Sequence, residues 1–230
     1  MIMDALKTIK IYPPQFEAAR WSMLAAMAVA FLLICFFLVQ PTLSLGQGVL
    51  GLAAMMAIFY AVNQLLQRAQ LSFSLSFMHL QHHSFRGGWV LKWRNIEAIG
   101  IPHLHQQGLG EPLPWVGIKI KRYDALLDSI SLRMVTHIIM TQRALLITAY
   151  RRGDHKPSKP LEDMMFDDTP YRGSNGVLYK GLMAMLANRM RYTRELLGYD
   201  LFVSEDLLDR PLEDFVGVTR RYLAAASGDH

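Results

Sequence analysis

The chain has 230 residues, 52% of them hydrophobic and only 19% charged, with a formal net charge of +5 and a single cysteine. Ordinary soluble domains carry about 25% charged residues, and the shortfall here is local: the 47 residues from Trp21 to Gln67 hold no Asp, Glu, Lys or Arg. That composition excludes a disordered chain and a disulfide scaffold, and it does not suit a plain cytosolic domain.

The N-terminal 1–20 segment carries Lys7, Lys10 and Arg20 against Asp4 and Glu17. An apolar run follows at 21–39, WSMLAAMAVAFLLICFFLV, and a second at 43–66. Nineteen helical residues rise roughly 28 Å, close to the ~30 Å of a bilayer core. Gln40-Pro41-Thr42 separates the runs, and so short a link returns the second helix antiparallel to the first. The expectation is a transmembrane helical hairpin over 21–67. Small residues recur at helical spacing on both runs: Ala18, Ser22, Ala26 and Ala30, then Ala53, Ala57 and Ala61. Such stripes allow close helix packing in lipid. Basic flanks on both outer sides of an uncharged loop place both termini in the cytoplasm. The expected location is therefore a membrane, crossed in a multi-pass manner with both ends on the cytoplasmic side.

The remaining residues change sign along the chain. Segment 68–160 has 13 basic and five acidic side chains, and 161–230 has eight basic and 12 acidic. The change falls in a charged stretch with two prolines at 151–160, which reads as a linker.

Within 68–150 the period is first two. Leu71, Phe73, Leu75 and Phe77 alternate with serines, and His79 to Phe85 continues extended. Arg86-Gly87-Gly88 marks a hairpin turn, followed by Trp89, Leu91 and Trp93 in alternation. Ile96 to Ile101 and Trp115 to Lys121 are further strands. The period then lengthens. Met134, Val135, Ile138, Ile139, Gln142, Leu145, Leu146 and Ala149 mark one helix from about Ser131 to Tyr150. A β-meander closed by one amphipathic helix is the order of pleckstrin-homology-like (PH-like) domains, so 68–150 is expected to form an antiparallel β barrel or sandwich with a C-terminal helix. In 161–230, a small helical module is expected. One helix spans Val177 to Leu197 and stops at Gly198, and another spans Pro211 to Ala226 behind Asp209. A short strand fits Tyr199 to Val203.

Three groups of side chains carry candidate chemistry. Arg86, Lys92, Arg94, Lys119, Lys121 and Arg122 are cations on or beside predicted strands. Alternation puts Lys92 with Arg94, and Lys119 with Lys121, on faces opposite the apolar ones. They are candidates for binding anionic lipid or a protein partner. His79, His83, His103 and His105 supply imidazoles of the kind that bind zinc or copper, but no cysteine and no acidic pair completes a ligand set. Asp167-Asp168-Thr169-Pro170 clusters carboxylates, but its spacing is a turn's and not that of a calcium loop. No G-x-S-x-G or phosphate-loop pattern occurs, so no catalytic residue and no cofactor is assigned.

Several stretches carry a family resemblance: HLQHHSFRGGWVLKWRNIEAIG at 79–100, PLPWVGIKIKRYDALLDSI at 112–130, TQRALL at 141–146, MAMLANRMRYTRELLGYDLF at 183–202 and LDRPLEDFVGVTRRYLAAA at 208–226. They resemble a numbered domain-of-unknown-function family of gammaproteobacterial inner-membrane proteins. The resemblance implies an inner-membrane location and transfers no activity. The order of hairpin then barrel is also similar to bacterial membrane-anchored PH-like proteins. The expected function is that of a non-catalytic inner-membrane binding or scaffolding protein. Its expected partners are the bilayer and a protein or a second copy of itself, and not nucleic acid. Two rival readings stay open: a membrane-anchored metal-binding protein or hydrolase using His79 and His83, and an accessory subunit of an envelope or transport complex.

Overall fold

The computed structural model describes residues 8–13, 72–84, 86–106, 109–154 and 159–227, together with separate helical positions between 21 and 60. The chain forms two compact units, one of Met1–Ile11 with Ser72–His230 and the other of Tyr12–Leu71.

In the larger unit the first sheet is an antiparallel meander, in the order β1 (Ile9–Ile11), β2 (Phe73–Leu75), β3 (His79–His82), β4 (Trp89–Lys92). Alternation buries one face of it. Phe73, His82 and Trp89 form one cross-strand row, and Leu75, Leu80 and Leu91 form the next. β1 was not legible in the sequence. Three residues carry no usable period, and Ile9 and Ile11 are held by pairing with Leu75 and Phe73, more than 60 positions away.

A single 3₁₀ turn at Trp93–Asn95 separates β4 from β5 (Ile96–Gly100). β6 (His103–Gln106) and β7 (Leu109–Pro112) make a hairpin of their own. β5 instead pairs with β8 (Trp115–Ile120). The helices of this unit then begin with α1 (Asp124–Leu127), α2 (Leu132–Thr141), α3 (Arg143–Arg152) and α4 (Leu161–Phe166). β9 (Tyr171–Arg172) and β10 (Leu178–Tyr179) form a small ladder. α5 (Leu182–Leu197) ends at Gly198, whose φ of +79° is the left-handed cap that glycine adopts without strain. β11 (Leu201–Ser204) returns to pair with β8, completing the order β11-β8-β5. α6 (Leu212–Ser227) buries Leu212, Phe215, Val216, Thr219 and Tyr222 at helical spacing. It packs Phe215 against Phe73 and stacks Tyr222 on Trp93.

These observations correct the expected fold. Among the described residues no helix is long and apolar enough to cross a membrane. The transmembrane hairpin over 21–67, and the multi-pass inner-membrane location built on it, are corrected accordingly. Most of 21–67 lies outside the described residues, and crossing requires about 20 apolar residues in one helix, which no described helix supplies. Of the small-residue stripes, Ala18, Ser22, Ala26 and Ala61 lie outside the described residues, while Ala53 and Ala57 are exposed and Ala30 is half-buried. The PH-like barrel is corrected too. Among the described residues the strands divide among four separate sheets and none closes. The 3₁₀ turn at Trp93–Asn95 lets β4 and β5 part into different sheets, so the meander stops where a barrel would have continued.

Two smaller differences have local causes. The single helix expected over 131–150 is broken at Gln142, whose buried amide donates to the Phe202 carbonyl of β11 at 2.9 Å. Segment 161–230, expected as a small helical module, also supplies the strand β11 to the β8 sheet and lies in the same compact unit as 72–160.

Gly100 and Gly117 face each other across β5 and β8, and the side chain of Tyr199 lies against both. A Cβ at Gly117 would fall 2.4 Å from the Tyr199 ring. Gly117→Val is therefore expected to destabilise the protein by about 2–3 kcal/mol, as overpacking does. A urea midpoint unchanged from wild type would contradict this close approach.

Candidate functional site

β8 ends at Ile120, and Lys121 and Arg122 follow in the turn that leads to α1. Asn95 holds that turn at both ends. Its Nδ2 donates to the Arg122 carbonyl at 2.9 Å, its Oδ1 accepts from the Arg122 N–H at 3.0 Å, and its own carbonyl accepts from the Lys121 N–H at 2.8 Å. The two exposed cations are thereby placed beside Lys92 at the end of β4 and Arg94 in the 3₁₀ turn. All four line one cleft of about 510 Å³.

Lys121 and Arg122 also line a second cleft, of about 540 Å³, together with Arg191 and Arg194 of α5. The two clefts thus share a basic wall. Arg194 is committed within the fold. It makes a bidentate pair with the buried carboxylate of Asp200, which also accepts from the Ile120 N–H at 2.7 Å and from the Tyr123 hydroxyl. Hydrogen bonding to Asp200 raises the Arg194 guanidinium further above its usual value. Burial, reinforced by the Asp200 charge, keeps Tyr123 a neutral phenol. Lys92, Arg94, Lys121, Arg122 and Arg191 make no ion pair among the described residues. Acidic groups are present as well: Asp124, buried and accepting from the Ser174 hydroxyl at 2.7 Å, and Glu195 both line the second cleft.

The structure divides the six cations read from the sequence. Lys92, Arg94, Lys121 and Arg122 converge. Lys119 does not line this cleft, because its Nζ pairs across the sheet with Glu97 at 2.8 Å. That bond holds the Glu97 carboxyl below its usual range. Arg86 is engaged by α2, with Nη1 3.1 Å from His137 Nδ1. Arg191 was not singled out in the sequence, because its place in a 16-residue helix shows nothing of the β8 turn it faces.

The histidines do not converge. His79 and His83 belong to the β3 region, and His83 lies 3.1 Å from the Ser74 hydroxyl. His103 and His105 sit on β6, in a different sheet, and His103 Nδ1 donates to the Ile101 carbonyl. Among the described residues no group of His, Cys, Asp or Glu is arranged to hold a metal ion. The Asp167 carboxylate is used internally. It accepts from the Thr169 N–H at 3.1 Å, from Lys159 at 2.9 Å and from the Tyr192 hydroxyl. Burial alone would raise this carboxyl; those hydrogen bonds overcome burial and hold it well below the usual range.

No curated protein and no solved structure matches the chain. A family described as "Protein of unknown function (DUF2982)" matches residues 73–225, which include every strand and helix around the two basic clefts. Since that match takes in well over half of the chain, the protein belongs to the DUF2982 family.

Proposed function

We propose that this protein is a non-catalytic binding module whose basic clefts take an acidic segment of a protein partner. The observation that carries the reading is the shared wall of Lys121 and Arg122, which joins two clefts into a path with five cations that make no ion pair among the described residues. Guanidinium groups pair bidentately with carboxylates, and three of the five are arginines. Glu195 and Asp124 in the second cleft favour a segment with spaced carboxylates over a continuous phosphate backbone. Concave clefts also suit a chain better than a flat lipid surface.

The test is fluorescence anisotropy of a short, labelled Glu/Asp-rich peptide with the full chain at low salt. Binding is expected to weaken with added salt. Joint replacement Lys92→Glu, Arg94→Glu, Lys121→Glu and Arg122→Glu should cost at least about tenfold in affinity, because four attractions become repulsions. Lys119→Glu and Arg86→Glu should leave affinity within about twofold, since neither side chain lines the clefts. Unchanged binding by the quadruple variant would overturn the reading. Preference for anionic vesicles or an oligonucleotide over the peptide would overturn the choice of partner.

A further inference from the structure

A different cavity, of about 410 Å³, lies between the Phe73–His82–Trp89 row, α2 and β11. Its volume falls in the range that holds small organic ligands. Phe73, Trp89, Trp115 and Phe202 give it aromatic walls, and Met134 and Ile138 of α2 add aliphatic ones. Among the described residues no Lys or Arg lines it, and the one carboxylate that does is the exposed Asp206.

Two histidines of this cavity have fixed hydrogen-bonding roles. His82 Nδ1 lies 2.9 Å from the Ser72 carbonyl oxygen. A carbonyl only accepts, so Nδ1 carries the proton, and in the neutral ring Nε2 is an acceptor. Burial keeps that ring neutral, with its pKa lowered to about 4. Ring contacts with Phe73 at 4.7 Å and Trp89 at 5.6 Å hold it in place. Nε2 has no hydrogen-bond partner among the described residues. It is not sealed either: among the described residues, the buried side-chain atoms without a partner are two nitrogens of Arg189. His82 is one of the residues that line the cavity. His137 has the opposite arrangement. Its Nδ1 faces the Arg86 guanidinium, which only donates, so Nδ1 accepts and the ring proton sits on Nε2. Ser131 locks this geometry by donating from Oγ to the Arg86 carbonyl at 3.2 Å while accepting from the Met134 N–H as the α2 N-cap.

We propose that this cavity binds a small uncharged aromatic molecule bearing a hydroxyl or ring N–H, with that donor placed on His82 Nε2. Aromatic walls supply the apolar contact, and the acceptor on His82 sets orientation. The absence of a cation and the presence of Asp206 select against a carboxylate ligand.

The experiment is calorimetric titration of the full chain with three probes of one shape: 2-naphthol, 2-methoxynaphthalene and 2-naphthoate. Saturable binding of 2-naphthol is expected, about fivefold tighter than the methoxy compound for one net hydrogen bond, with 2-naphthoate weakest. His82→Phe keeps an aromatic ring in the row but removes the acceptor, and should bring the first two probes to equal affinity. Should that variant not fold, the Nε2 chemical shift of His82 in the ¹⁵N-histidine-labelled wild type decides: it should move on adding 2-naphthol and not 2-methoxynaphthalene. No saturable binding, equal affinity for the first two probes in the wild type, or tightest binding of 2-naphthoate would each overturn the proposal.

Discussion

Asp200→Ala is expected to lower the unfolding free energy by about 3–4 kcal/mol, the largest loss among the single substitutions considered. Asp200 is 1% exposed and binds three partners from three other places in the fold: the Ile120 N–H of β8, the Tyr123 hydroxyl before α1 and the Arg194 guanidinium of α5. Removing the carboxylate leaves a buried N–H without its acceptor and a cation without its counter-charge. The Arg194 side chain is 34% exposed, so water relieves part of that cost, and the lower half of the usual range for breaking a buried pair applies. Urea unfolding measures it, against a total stability of about 5–15 kcal/mol for ordinary domains. A loss under about 1 kcal/mol would show that the network does not hold α5 to the β8 sheet. Binding separates from stability here. Arg194 lines the second basic cleft, so freeing it should leave acidic-peptide affinity per folded molecule equal or stronger.

The second large effect is on acid stability. Burial lowers the His82 pKa from 6.5 to about 4. In the folded state the ring therefore resists protonation, while the unfolded chain takes up its proton at the ordinary value. The stability contribution is complete above pH 6.5 and is lost progressively as pH falls toward 4. A shift of that size corresponds to about 3 kcal/mol. His83 and His137 are lowered in the same direction, chiefly by burial, and both stay partly exposed, so they add a shallower slope. His82→Gln retains a donor for the Ser72 carbonyl and does not titrate. Its stability is expected to fall with acid by about 3 kcal/mol less than the wild type's over the same window. Parallel pH profiles for the two proteins would show that His82 is not the group responsible.

Sequence reading reached the local elements for physical reasons that can be named. Gly198 stops α5 because the next backbone conformation is left-handed, and α6 starts just after Pro211, which needs no helical N–H bond there. The Arg86-Gly87-Gly88 turn joins β3 to β4, with Gly87 at a φ of +109°. Alternation in Trp115 to Ile120 yields a strand whose Val116, Ile118 and Ile120 are fully buried. The hairpin expected over 21–67 falls mostly outside the described residues, among which no helix is long and apolar enough to cross a membrane. The same reasoning misjudged the barrel, because period two does not say which strand pairs with which.

By itself, the sequence determined periodicity, caps, turns, the family resemblance and the presence of a basic surface. All of these depend on residues within a few positions of one another or on wording along the chain. Only the tertiary structure decided which cations meet. Lys92 and Arg94 join Lys121 and Arg122 through the Asn95 clamp, Arg191 arrives on α5, Lys119 is neutralised by Glu97, and Arg86 is drawn to His137. The same is true of His82, which became a buried neutral acceptor only once Phe73 and Trp89 closed around it. The reason is that convergence is set by strand register and helix docking between segments far apart in the chain, and no local period carries that information.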